Sequence, residues 1–198
     1  TKAWVEGLTF MYNGSESLDL TFLETYGVFT GTFKKLNIWS KIMGNTIGIK
    51  ANAGGRNHMT SFEDIDISQV LLGIYIHQDH AALRHISVGK CEIGIQVSAD
   101  KITVGGMHDM HCYYNTKHDI YIYGDEDDPP IFISSLYIEN DPLPYYNFVT
   151  LGRKVVIGTL GIIATGSWTD YIYRPQDIIL LSNVIWRSGG TSQRLRNK

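Results

Sequence analysis

Residues 62–76 read Phe62-Glu63-Asp64-Ile65-Asp66-Ile67-Ser68-Gln69-Val70-Leu71-Leu72-Gly73-Ile74-Tyr75-Ile76. Two patterns lie back to back in this stretch. The first is apolar, two free positions, apolar, one free position, apolar, at Phe62, Ile65 and Ile67. The second opens on Gly73 and alternates, with Ile74 and Ile76 on one side and Tyr75 between them. Apolar residues at period two mark a strand with one buried face, whereas a helix places them every three to four positions.

Both patterns recur along the chain. The first returns at Val5/Leu8/Phe10, Phe33/Leu36/Ile38, Leu83/Ile86/Val88, Ile133/Leu136/Ile138, Ile157/Leu160/Ile162 and Leu181/Val184/Trp186, with a weaker copy at Ala99/Ile102/Val104. The second returns at Gly27-Val28-Phe29, Gly48-Ile49, Gly94-Ile95-Gln96-Val97, Asp119-Ile120-Tyr121-Ile122, Asn147-Phe148-Val149 and Asp170-Tyr171-Ile172-Tyr173. The mean spacing is about 25 residues, inside the range of about 20–50 that marks solenoids and arrays. Short strands joined at Gly, Asn and Asp corners describe one turn of a coil, and stacked turns pair each strand with its equivalent in the next.

Composition agrees. The 198 residues hold 24 isoleucines against 7 alanines, with 12 tyrosines and 20 glycines. Ile and Tyr favour strands, Gly favours tight turns, and scarce Ala disfavours helices. Formal charge is −3, which gives no electrostatic footprint for nucleic acid or an anionic membrane surface. No apolar run approaches the roughly 20 residues of a membrane span. Two cysteines, Cys91 and Cys112, are too few for a disulfide scaffold and are expected as buried thiols. Nucleotide-binding glycine loops and the Gly-x-Ser-x-Gly elbow are missing, and no cofactor is expected.

The arrangement resembles the right-handed parallel β-helix of the pectate-lyase type. The expected fold is therefore all-β, a solenoid of about seven to eight turns over residues 1–188, cut from a longer chain and followed by a polar tail at 189–198. A β-sandwich is the competing architecture, because alternation with frequent turns fits it as well.

A solenoid displays its working surface where turns outgrow their length. Measured between the two patterns, 13–26 and 105–117 are the enlarged segments on one edge, with further expansions at 51–61 and at the acidic Asp125-Glu126-Asp127-Asp128. The segment from Gly105 holds His108, Asp109, His111, Cys112, Tyr113 and Tyr114, and the next turn offers Glu139, Asp141, Tyr145 and Tyr146. Asp109 and Glu139 are candidate carboxylates for glycoside hydrolysis, which needs a pair about 5–9.5 Å apart. His108, His111 and Asp141 are supporting acid or base groups, in a hydrolase or in a lyase that abstracts a proton beside a uronate. Tyr113, Tyr114, Tyr145 and Tyr146 suit stacking on sugar rings. Turn chemistry explains the same residue types without function, so both readings stay open. His108, His111 and Cys112 lack the spacing of a zinc site, and no metal is expected.

The irregular, Tyr- and Ile-rich coil with few cysteines looks like the shaft of a bacteriophage tailspike or tail fibre. That resemblance implies a homotrimer in the virion, outside the cell, that binds and cleaves a bacterial surface polysaccharide. It implies no nucleic-acid or membrane partner. A non-catalytic adhesion shaft and a secreted monomeric polysaccharide lyase are the alternatives.

Overall fold

The computed structural model describes residues 2–26, 30–52, 59–77, 81–98, 106–124, 129–139, 148–163, 172–173, 178–181, 184–188 and 191–195. Strands are numbered in chain order. The longer sheet runs β1 (Lys2–Glu6), β4 (Thr30–Ser40), β6 (Met59–Ser68), β8 (Ala81–Gly89), β10 (Met107–Tyr113), β12 (Ile131–Glu139), β14 (Val155–Ile163), β17 (Val184–Ser188) and β18 (Thr191–Leu195), with β2 (Thr9–Tyr12) on β4 and β16 (Ile178–Leu180) on β14. The shorter sheet holds β3 (Asp19–Tyr26), β5 (Asn45–Asn52), β7 (Leu72–His77), β9 (Ile93–Ser98), β11 (His118–Tyr123), β13 (Phe148–Leu151) and β15 (Ile172–Tyr173). From β3 to β16 successive strands alternate between the sheets, and equivalent strands pair in parallel one turn on. The chain is a parallel β-solenoid of roughly 25 residues per turn. About five turns are regular, fewer than the seven to eight expected, and the first rung is split between β1 and β2.

The register makes five inward ladders. Phe33, Phe62, Leu83, Met107, Ile133 and Ile157 form one, and Phe33 stacks on Phe62 with ring centroids 5.3 Å apart. Leu36 to Leu160 and Ile38 to Ile162 form two more, all nearly sealed from solvent. On the short sheet Ile49, Ile74, Ile95, Ile120 and Phe148 make the fourth, and Ala51, Ile76, Val97 and Ile122 the fifth. Burying each such side chain contributes roughly 1.5–3 kcal/mol, which offsets the ordering of the turns.

The two free positions of the first pattern have a physical cause. Lys35, Asp64, His85 and Asp109 all adopt left-handed backbone, with φ of 51–55°. The residue before each continues the strand outward; the left-handed residue then resets the pleat so that the next apolar side chain points in. A second left-handed series, Gln69, Lys90 and Tyr114, bends the chain from the long sheet to the short one. Its amides keep the ladder going: Gln69 N donates to Gly89 O, Lys90 N to Tyr113 O and Tyr114 N to Glu139 O.

Past that bend the corner is tight. Gly48, Gly73 and Gly94 stack in one row continued by Asp119, and a Cβ on Gly48 would sit 2.6 Å from Gly73 O. Asp119 and Asn115 are fully buried and bonded together, with Asn115 Nδ2 donating to Asp119 Oδ1 at 2.6 Å and to Val88 O at 3.2 Å. Asn115 Oδ1 accepts from Cys91 N at 3.0 Å. Cys91 and Cys112 are buried free thiols, as expected. Burial pushes the Cys91 thiol up to about 12 and raises the Cys112 thiol well above its ordinary value.

Two expected enlarged loops are strands instead. Residues 19–26 are β3, whose Leu23 pairs with Ile49, so the second pattern begins before Gly27. Residues 107–113 are β10, and Met107, Met110 and Cys112 fill the inward ladders in place of Ala99, Ile102 and Val104. Flexible thioethers and a small thiol pack there as well as branched side chains do. The marker positions then run 86, 110, 136 without the irregular gaps around Ile102. Residues 191–195, expected in a polar tail, form β18, which pairs antiparallel with β17. Residues 27–29, 78–80, 99–105, 125–128 and 140–147, which include the weaker copy, the acidic run, Asp141, Tyr145 and Tyr146, lie outside the described residues.

Candidate functional site

Because 107–113 is a strand, its polar residues belong to the outward face of the long sheet and line up in columns, one residue per rung. The left-handed column reads Lys35, Asp64, His85, Asp109 and then Ser135. His85 lies between two carboxylates, with Nδ1 3.1 Å from Asp64 Oδ1 and Nε2 3.3 Å from Asp109 Oδ2. The Ser135 hydroxyl donates to Asp109 Oδ1 from the other side.

The next column reads Asn37, Asp66, Ser87, His111, Tyr137 and Gly161, and the one beyond it reads Trp39, Ser68, Gly89, Tyr113, Glu139 and Ile163. Here His111 sits among aromatic rings, 5.3 Å from Tyr113 and 5.2 Å from Tyr137 between centroids. Its Nε2 is enclosed, makes no hydrogen bond and lies 3.8 Å from Glu139 Oε2. Tyr114 donates its phenol hydrogen to Glu139 Oε1 at 3.1 Å, so Glu139 is held from two sides.

Asp66 keeps part of its surface in solvent, yet its neighbours strip enough water from the carboxyl to raise its pKa, and His111 only partly offsets this. The Tyr113 phenol is pushed up first by burial and then by the Asp66 charge, while a hydrogen bond with Ser87 pulls the other way.

Between these columns a cleft of about 370 Å³ opens over β10, β12 and β14. Asp109, Ser135 and Thr159 line one side, His111 and Tyr137 the other, and Gly161 leaves the floor open. A second cleft, of about 470 Å³, lies on the other side of the left-handed column among His108, Phe132, Val156 and Leu181.

The structure thus brings His111, Tyr113, Tyr114 and Glu139 together, as a group on β10, β12 and the bend after β10 rather than on a loop. It places Asp109 with His85, Asp64 and Ser135, and His108 apart with the second cleft. Asp109 and Glu139 are not adjacent. Asp109 shares its column with Ser135, four residues before Glu139, so about 13 Å of strand at roughly 3.3 Å per residue separates the two positions. Sequence reasoning missed His85, Asp64 and Ser135, and placed neither Asp66 nor Tyr137 in the site. The signal for His85 and Asp64 was their shared place in the repeat, which the misplaced copy at Ile102 hid for Asp109. His77 Nδ1 lies 2.7 Å from Ser98 O and ties two rungs of the short sheet.

Among the described residues no three His, Cys, Asp or Glu side chains converge to hold a metal ion. None of these residues forms a helix long and apolar enough to cross a membrane. Comparison with known proteins finds no matching family model, curated protein or solved structure.

Proposed function

We propose that this solenoid is a tailspike-like or tail-fibre shaft that binds a bacterial surface polysaccharide on the outward face of its long sheet. The observation that carries the reading is the cleft over β10, β12 and β14, where the Tyr137 and His111 rings face Asp109, Ser135 and Thr159. Rings stack on the apolar face of a sugar, and carboxylate and hydroxyl oxygens take up its hydroxyl groups. Columns repeated at each rung suit a ligand that is itself a chain of repeated units.

Binding is favoured over cleavage by Asp109 and Glu139. Glycoside hydrolysis needs a carboxyl pair that works on one bond, and these two are engaged separately, Asp109 by His85 and Ser135 and Glu139 by His111 and Tyr114. The depolymerase reading survives through Asp66, whose raised pKa is the property of a general acid. In the tailspike reading the working form is a homotrimer in the phage tail.

The test is a screen of purified bacterial surface polysaccharides against the whole protein, with Tyr137→Ala in parallel. Retention of at least one polysaccharide, lost in the variant, supports the reading. No retention by a protein whose mass is three times 22.3 kDa would overturn it.

A further inference from the structure

We infer that the glycan taken by this face is neutral in the units that meet the cleft, built of hexoses or N-acetylated amino sugars and not of uronic acids. The inference rests on the glycan-binding reading above and narrows it to a substrate class.

The charges around the cleft decide it. Asp109 is the acidic residue on its wall, and its carboxyl is 60% exposed. Glu139 adds a carboxylate in the next column on β12, and Asp66 another in the His111 column, two rungs before it. A uronate lying there would bring its charge close to three like charges in a partly desolvated setting, where such repulsion is several times stronger than in bulk water.

Four lysines pair with carboxylates outside the cleft wall. Lys34 pairs with Glu63 at 3.2 Å, Lys35 with Glu6 at 2.8 Å, Lys50 with Glu24 at 3.0 Å and Lys117 with Glu92 at 3.4 Å. Among the described residues the cleft wall contains no Lys or Arg. Its one imidazole, His111, already faces Glu139, and the His85 imidazole beside it is held between Asp64 and Asp109. What the wall offers is hydroxyl groups from Ser135, Tyr137 and Thr159, apolar surface from Met110 and Leu136, and the Tyr137 ring. Hydroxyls both donate and accept, so they match the hydroxyls and acetamides of neutral sugars, and they carry no charge to pair with an anion.

The experiment uses matched ligands. Uronic-acid-containing bacterial polysaccharides are compared with the same polymers after chemical reduction of their carboxyls to primary alcohols, alongside polysaccharides that are neutral from the start. Binding is read by affinity electrophoresis and titration calorimetry at two salt concentrations. The expected result is binding of at least one neutral or reduced polymer with little salt dependence, and at least tenfold weaker binding of its acidic parent. Asp109→Asn narrows that gap by strengthening retention of the acidic form. Equal or tighter binding of the acidic parent overturns the inference and leaves glycan binding intact. Failure of every polymer, neutral or acidic, overturns the glycan-binding reading and the inference with it.

Discussion

The ring of Tyr137 lies against the bare Cα of Gly161 on the next rung, where a Cβ would come within 2.8 Å of its Cδ2. The ring is partly exposed and hinged at its own Cβ, so it can move, but it cannot keep this pose over a larger residue. Gly161→Val is expected to swing the ring off the cleft floor. Glycan affinity should fall at least tenfold while thermal unfolding shifts by only a few degrees. A variant with unchanged affinity would show that this pose has no part in binding.

Asn115 holds the corner between β10 and β11 from inside the core, serving Asp119, Val88 and Cys91 with one side chain. Asn115→Ala leaves the buried Asp119 carboxyl and the Cys91 amide short of partners. Stranding buried polar groups costs about 1–3 kcal/mol, more when charge is involved. Urea denaturation should show a loss of that size or larger. The same truncation at the exposed Asn37, in the outward column, is expected to change stability far less.

Gly48 faces the carbonyl of Gly73 and the side chain of Ile67, at 2.6 and 2.9 Å from where a Cβ would stand. Backbone in a stacked ladder has nowhere to retreat. Gly48→Ala should therefore destabilise by about 1–3 kcal/mol, as overpacking does. The loss should appear in the urea midpoint with the slope unchanged.

Asp66 gives a pH dependence with a definite sign. Its folded pKa lies above the ordinary value of 3.8, because desolvation disfavours the carboxylate. The folded state then holds its proton to higher pH than the unfolded chain does, so stability falls as pH rises from about 3.8 through the raised value and is level above it. Asp66→Asn removes this term. The variant should be more stable than the parent at neutral pH, and its advantage should vanish below the ordinary carboxylate range. Equal stability differences at both ends would refute the assignment.

Much of the fold was legible because the inward ladders are written in Ile, Leu, Val and Phe, and because Gly or Asp marks the corner before each short-sheet strand. The site was only partly legible. Met107, Met110 and Cys112 carry the ladder through the fourth regular rung with side chains that read as less apolar, and the histidines between them made a strand look like a loop. The left-handed column left no mark either, since it is built from Lys, Asp, His and Asp where glycine would have signalled the bend. Once His85 and Asp109 are known to occupy the same place in successive repeats, their contact follows. Contacts between neighbouring columns, such as His111 with Tyr137 and Tyr113, depend on rotamers that the pattern does not specify.

The stacking of rungs also fixes how the body bears load. In both sheets the backbone hydrogen bonds point along the stacking axis and the strands lie across it. Tension along that axis is met by the rungs in series, so the weakest junction sets the strength. Pulled end to end, the coil should part at one junction and peel one turn at a time. Compressed, the same stack brings each backbone down on the one below and behaves as a stiff rod.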